Sequence, residues 1–421
     1  MNFLPKNIDF VKDPTLSGVS LLKLAERYKT PLYVYDWEHL QNNLDTFTQT
    51  FGEKTLFRYA AKAFICKAMV KELQEKGWGV DVVSGGEMFT VNQVLKTLKK
   101  VLFNGTFKTT KELEYFIDNE GGLISIDNKE ELEKVNVISK KKKKKQRIIL
   151  RLNLDVGAET HPMVLTTGYK QQFGISIGDA EKLMDKVVHY ENVVFSGVHV
   201  HIGSQIKDPE RYYLAMKKAS KFLQEHKECL NDTAVFNAGG GFFSPYTEKD
   251  TEEHKLEAYR DSINKGIKEF WKQDYKLIIE PGRAVVNNPG VILYTVGAIK
   301  EDRGEKPYLL VDGGMSDNPR IGLYGSEHTL FNLSNRSEDR KSFVVSGRHC
   351  ESGDILSEGA ELPKDTKPGD IIMSAATGAY TQAMSSNYNR VPKAAVVSVQ
   401  RGGERVIIKA QDFKDTAIKD A

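Results

Sequence analysis

Short runs of β-branched and aliphatic residues recur along the chain at 56–60, 80–83, 101–103, 123–126, 148–152, 193–200, 234–236 and 277–279. Between them the apolar positions shift to helical spacing, as in Ile65, Ala68, Met69 and Leu73, and helices are predicted over 87–99, 108–119 and 129–139. Strands apolar on both faces, alternating with helices, predict a parallel sheet, and eight repeats predict a (β/α)8 barrel. The span of about 30–285 matches the roughly 250 residues such a barrel needs. Ahead of the first of these eight runs lie a short helical pattern (Leu21, Leu22, Leu24, Ala25), a strand at 32–35 and a helix over 37–51.

After Arg283 the rhythm changes. Apolar runs at 291–299, 307–311, 342–345, 371–374, 394–399 and 406–409 are separated by turn signals such as Asp312-Gly313-Gly314, with little helical pattern. This predicts a second, mainly antiparallel β-domain from about 286 to 421.

Composition narrows the function classes. The 421 residues are 40% hydrophobic and 28% charged, and the net charge is +3, so no nucleic-acid or membrane partner is expected. No apolar run approaches the roughly 20 residues that span a bilayer. The opening residues lack the apolar core of a signal peptide, and a cytoplasmic protein is expected. Cys66, Cys229 and Cys350 form neither a disulfide framework nor a metal-ligand pair. His199 and His201 lack a third ligand at metal spacing, so no metal is expected. Lys140 to Lys145 form the one low-complexity tract, which reads as a solvated helix end.

Catalytic groups in such barrels come from the C-terminal ends of the strands, and here those ends are chemically dense. Lys62 follows the first strand between Ala60, Ala61 and Ala63. An amine in apolar surroundings loses solvation, its pKa falls, and it attacks carbonyls. The second strand brings Asp81, the sixth His199, His201 and Ser204, the seventh Gly239, Gly240 and Gly241, and the eighth Glu280 and Arg283. The glycine run and Ser204 suit an anion, or a plain strand-to-loop turn. His201 suits stacking on an aromatic ring, and a core histidine is equally consistent with His199. Glu280 and Arg283 make a salt bridge or, alternatively, Glu280 holds a pyridine nitrogen protonated. Carbonyl-reactive lysine, phosphate cradle, stacking histidine and pyridinium partner together describe one cofactor, pyridoxal 5'-phosphate.

Tyr59-Ala-Ala-Lys62-Ala, His201-Ile-Gly-Ser204-Gln, Gly239-Gly-Gly241, Glu280-Pro-Gly-Arg283, Cys350-Glu351-Ser-Gly-Asp354 and Gly378-Ala-Tyr380 resemble the diaminopimelate decarboxylase family, in the same order and across nearly the whole chain. That family belongs to the alanine-racemase-like pyridoxal-phosphate decarboxylases of fold type III. The resemblance implies a barrel over 30–285 and a β-sandwich or barrel-like domain formed by 1–29 with 286–421. It also implies a homodimer with active sites at the subunit interface. Lys62 resembles the Schiff-base lysine, His201 the ring-stacking histidine, and Glu280 the pyridine-nitrogen partner. Ser204 and Gly239 to Gly241 resemble the phosphate site, with Asp81 and Tyr380 near the cofactor. Arg283, Arg320, Tyr324 and Tyr380 resemble substrate-binding residues. Cys350, a candidate proton donor, and Glu351, which in family terms holds the distal ammonium, resemble a pair donated by the other subunit.

The implied reaction is decarboxylation of meso-2,6-diaminopimelate to L-lysine and carbon dioxide, the last step of lysine biosynthesis. Alternatives within the group act on carboxynorspermidine, ornithine, lysine or arginine. From another class, a non-catalytic pyridoxal-phosphate carrier resembles the barrel alone. The sequence departs from the family pattern at Phe64, Ile321, Val391 and Lys393, none of which removes a charge the mechanism needs. The segment 154–175, with His161, is expected to cover the site.

Overall fold

The computed structural model describes residues 2–154, 156, 172–230, 232–252, 254–301 and 304–421. Most of the segment expected to cover the site lies outside the described residues. The chain divides into two units, Leu44–Phe243 with Glu253–Gly282, and Met1–Asn43 with Ser244–Glu252 and Arg283–Ala421.

The first unit is the barrel. Its strands are β1 (Leu56–Ala60), β2 (Gly79–Val82), β3 (Val101–Phe103), β4 (Leu123–Ile126), β5 (Gln146–Asn153), β6 (Val193–His199), β7 (Ala234–Asn237) and β8 (Tyr275–Ile279). Each pairs in parallel with the next, and β8 pairs with β1, closing the sheet. The apolar runs exist because both faces are covered. Leu102, Leu123, Ile149, Val235 and Ile278 fill the interior, with Leu56 packed against them, while helices cover the outside. Full burial of each such side chain contributes roughly 1.5–3 kcal/mol.

The connecting helices start on polar caps. Thr109 Oγ1 accepts from the Glu112 amide at 3.2 Å, and Glu112 Oε2 accepts from the Thr109 amide at 3.0 Å, a reciprocal cap worth about 1 kcal/mol. The helix predicted over 87–99 instead spans Gly85–Leu95, because Lys96 takes a left-handed φ of 57° and ends it. The lysine tract is likewise divided. Helix Lys129–Lys142 ends on left-handed Lys143, and Lys144 and Lys145 lead into β5. In that shell Lys108 is buried and donates to Gly105 O, Ser125 O and Glu131 Oε1 at 2.8–2.9 Å, so every ammonium proton is used.

The second unit is a mixed sheet. Its order is Ile355–Pro363, Arg340–Ser346, Tyr308–Val311, Gly290–Lys300, Leu32–Asp36, Ala395–Gln400, Gly403–Ile408, with Ile371–Ser374 also on Gly290–Lys300 and Leu330–Asn332 on Ile371–Ser374. Six pairings are antiparallel and two parallel. Leu32, Val34, Val291, Leu293, Met373 and Val397 share a core with Phe3, Leu16, Leu21 and Leu24.

The boundary therefore differs from the one the sequence predicts. Leu32–Asp36 belongs with the β-unit, because it hydrogen-bonds between Gly290–Lys300 and Ala395–Gln400. Residues 244–252, expected inside the barrel, also group there. No helix among the described residues is long and apolar enough to cross a membrane.

Candidate active site

The C-terminal ends of β1, β2, β3, β6, β7 and β8 bring most of the singled-out barrel residues together. Lys62 lies in the single helical turn Ala61–Ala63 directly after β1. Its flanks are fixed by Tyr59, whose hydroxyl donates to Phe64 O at 2.8 Å, and by the Ala60 amide, which donates to Pro281 O at 3.1 Å. The alanines are buried and Lys62 is half-buried, but the surroundings are not purely apolar. Asp81 sits across the sheet from Ala60, and Lys62 acts electrostatically on Asp81, Glu87 and His201.

Beneath the lysine two carboxylates share a donor. Asn104 Nδ2 reaches Asp81 Oδ1 at 2.7 Å and Glu280 Oε1 at 3.1 Å, and Asn237 Nδ2 reaches the same Glu280 oxygen at 2.6 Å. Burial pushes the Asp81 carboxyl well above the carboxylate range, and Glu280 pushes it further. Burial acts upward on Glu280 too, but His199, His201 and the Asn237 hydrogen bond outweigh it and hold the group below its usual value. The two buried carboxyls are thus driven apart, Asp81 toward its neutral form and Glu280 toward its ionised one.

The two histidines separate. His199 is in the core, its Nδ1 2.8 Å from Ser125 Oγ and its Nε2 3.5 Å from Glu280 Oε1. Burial lowers its pKa against the pull of Glu280. His201, at the rim, is half-buried, and its Nδ1 accepts from the Gly240 amide at 3.2 Å, which leaves the proton of the neutral ring on Nε2. Burial first and Lys62 second hold it neutral.

Glycine is required at the loop after β7. Gly239 has φ 69°, and a Cβ there would stand 2.5 Å from Val200 O. At Gly240 a Cβ would meet Glu280 O at 2.2 Å. The Ile206 amide donates to Gly241 O at 2.9 Å, tying this loop to the one that carries Ser204.

A second cluster forms within the β-unit. Arg320 is 5% exposed, and its Nε is buried without a hydrogen-bond partner. Its guanidinium carbon lies 4.9 Å from the Tyr324 ring centre and 5.4 Å from that of Tyr380. Arg283 shares Tyr380, at 4.7 Å from its ring centre, and lies 5.5 Å from that of Tyr246, to whose hydroxyl it also donates. Burial lowers the pKa of Arg320 and, with Arg283 nearby, favours an incoming anion. Tyr246 and His328 complete this cage, their ring centres 5.3 Å apart. Neither was legible as a site residue, since each sits in a loop without a motif. Cys350 and Glu351 are exposed on a turn, where the Cys350 amide donates to Asn389 Oδ1 at 3.2 Å and Tyr388 donates to Glu351 at 3.4 Å.

The barrel-mouth donor set fits pyridoxal phosphate. An amine that acts electrostatically on Asp81 and on a neutral imidazole shares the barrel end with the Glu280 carboxylate and a loop that admits only glycine. Buried Asn104 Oδ1 is left without a hydrogen-bond partner at its base.

These features define the chain as a barrel-type pyridoxal-phosphate decarboxylase, and residues 37–287 match the family model for the pyridoxal-binding domain of pyridoxal-dependent decarboxylases. More narrowly, the chain belongs to the diaminopimelate decarboxylases. It is 36% identical to the diaminopimelate decarboxylase of Bacillus subtilis over 411 residues, covering 95% of this chain and 93% of that one. To the enzyme of Aquifex aeolicus it is 33% identical, covering 94% and 93%. The solved diaminopimelate decarboxylase of M. jannaschii, in complex with L-lysine, superposes with a TM-score of 0.91 at 29% identity, covering 99% and 98%. A lysine/ornithine decarboxylase from Vibrio vulnificus, at 19% identity and a TM-score of 0.78, shares the fold.

Proposed function

We propose that the protein decarboxylates meso-2,6-diaminopimelate to L-lysine and carbon dioxide, working as a cytoplasmic homodimer. The single observation that carries this is the buried, incompletely satisfied Arg320 guanidinium beside Arg283. Two arginines around one tyrosine suit a second carboxylate, which ornithine and lysine lack. A site built to pair that charge leaves its own cation unpaired when an analogue without it binds.

Lys62 supplies the amine that would hold the cofactor through its aldehyde carbon. When bound, pyridoxal phosphate provides an electron sink for the pair left behind by departing carbon dioxide. Glu280, kept ionised by Asn237 and Asn104, is the group suited to hold a proton on a pyridine nitrogen. Asp81, which burial and Glu280 push toward its neutral form, leaves the negative charge of the pair on Glu280. His201, neutral, presents an uncharged ring face for stacking. Ser204 and Gly239 to Gly241 are assigned to the phosphate, and Tyr380 to the cofactor's vicinity. Arg283, Arg320 and Tyr324 bind substrate carboxylate. Cys350 and Glu351, exposed in one chain, are assigned to the partner's site, Glu351 pairing with the distal ammonium and Cys350 delivering a proton to the α-carbon.

The test is carbon dioxide release by the pyridoxal-phosphate-loaded protein from meso-diaminopimelate, L-lysine, L-ornithine, L-arginine and carboxynorspermidine, side by side. Release from diaminopimelate alone is expected. Release from one of the others instead would overturn the substrate assignment.

A further inference from the structure

The opposite end of the same barrel has chemistry that decarboxylation does not use. A cavity of about 490 Å³ opens at the N-terminal ends of the strands, floored by Leu56, Val101, Leu123 and Val235. That volume is within the range of small-molecule sites. Its walls carry six cationic side chains, Arg58, Lys99, Lys144, Lys145, Arg147 and Lys276, against one carboxylate, Glu120. In a barrel of this kind this face ordinarily serves stability, and nothing about folding asks for such a surplus of one sign.

The cations divide by how far they are satisfied. Lys99 pairs with Glu120 at 3.0 Å, and Arg147 reaches Asp232 at 3.5 Å and donates to Ser196 Oγ. Lys144 donates to the Ile117 and Asp118 carbonyls at the end of helix Thr110–Asp118, which fixes its ammonium at the wall. Among the described residues no ion pair reaches Arg58, Lys145 or Lys276. Arg58 is half-buried, and the charge of Glu280 acts on it from farther along the barrel. Its Nη1 is used by Phe57 O at 2.9 Å, and its Nε is buried with no hydrogen-bond partner. A buried guanidinium donor without an acceptor is a costly arrangement that an anion relieves. Lys144 and Lys145, the last residues of the lysine tract beyond its solvated helix end, line the cavity wall.

We propose that this cavity is a second ligand site, for a small anion bearing a di- or triphosphate group. The guanidinium fork of Arg58 and the lysine ammoniums suit phosphate oxygens, and the apolar floor accepts an attached organic group. Free pyrophosphate and a nucleoside triphosphate share this chemistry. The floor favours the nucleotide.

Isothermal titration of the pyridoxal-phosphate-saturated enzyme tests this, with cofactor occupying its own phosphate site. The titrants are pyrophosphate, ATP and, as a carboxylate polyanion, citrate. Saturable binding of pyrophosphate or ATP at about one per chain is expected, with ATP the tighter. The exposed pair Lys145→Ala/Lys276→Ala should weaken it by about tenfold or more, as loss of charge-assisted contacts implies. That variant should decarboxylate like the parent, while Lys140→Ala/Lys141→Ala, in the same tract but away from the cavity lining, should bind like the parent. Binding equal for parent and Lys145→Ala/Lys276→Ala, citrate bound as tightly as ATP, or no saturable heat with either phosphate compound would overturn the proposal. Pyrophosphate bound more tightly than ATP would overturn the role given to the floor.

Discussion

Asn237 Nδ2 stands 2.6 Å from Glu280 Oε1, and Asn104 brings a second amide to the same oxygen at 3.1 Å. Neutral donors thus hold an anion in place at the base of the site without cancelling its charge. Asn237 also accepts the Gly239 amide at 2.9 Å, so its loss disturbs the glycine loop. Asn104 is the cleaner probe. Asn104→Ala should lower kcat/KM by about ten- to a hundredfold, the scale of a hydrogen bond to a charged group, with the cofactor still bound. Steady-state kinetics alongside cofactor absorbance checks this, and unchanged kinetics would remove Asn104 from the site.

Lys62→Ala should abolish turnover and the visible absorption of lysine-bound cofactor, while circular dichroism stays that of the parent. Appreciable residual decarboxylation would end the assignment of Lys62.

Arg320→Ala should raise KM for diaminopimelate by about tenfold or more and change kcat less, because the lost contact is to a carboxylate remote from the reacting carbon. Arg320→Lys should recover little, since an ammonium cannot reproduce the planar fork. Equal kinetics for parent and Arg320→Ala would contradict the carboxylate role.

Lys108→Met strands Glu131 as a buried, unpaired carboxylate, since their 2.8 Å pair is almost fully enclosed. A loss of roughly 3–5 kcal/mol of stability is expected, and Lys108→Met/Glu131→Leu should regain much of it. Denaturant unfolding measures both, and two equally unstable variants would contradict the pairing argument.

Asp317 sets a pH dependence of stability. Burial raises its carboxyl to about 7 against the Gly314 amide, and Asp312 and Asp354 add to the rise. Between the ordinary carboxylate range and about 7 the folded chain holds a proton that the unfolded chain has released. This contribution to stability is therefore lost as pH rises through that window. Asp317→Asn keeps an acceptor for Gly314 and cannot ionise, so its Tm relative to the parent should climb from pH 5 to pH 8. A constant difference would show that Asp317 does not titrate there.

Barrel strands were legible because most of their residues are buried on both faces and apolar, as in β3 and β4. Ile355–Pro363 was not, because Glu358, Gly359 and Glu361 are exposed within it and interrupt the apolar run. Leu330–Asn332 left an equally weak signal, being only three residues long. At the site, motif-bearing residues at strand ends were legible. Tyr246 and His328 were not, because loop residues reach the arginines through the tertiary fold and leave no periodic trace in sequence. Leu32–Asp36 was recognisable as a strand, but its placement depends on partners far along the chain, which local patterning does not encode.

That strand also has a consequence for synthesis. Leu32–Asp36 emerges from the ribosome early, yet its two neighbours are Gly290–Lys300 and, nearly at the end of translation, Ala395–Gln400. All eight barrel strands are complete before either neighbour exists, so the barrel can form during translation while this fully buried, apolar strand waits unpaired. A message cut short before codon 395 would leave one edge of it permanently open, and such a product should aggregate rather than persist as a soluble barrel with a missing tail.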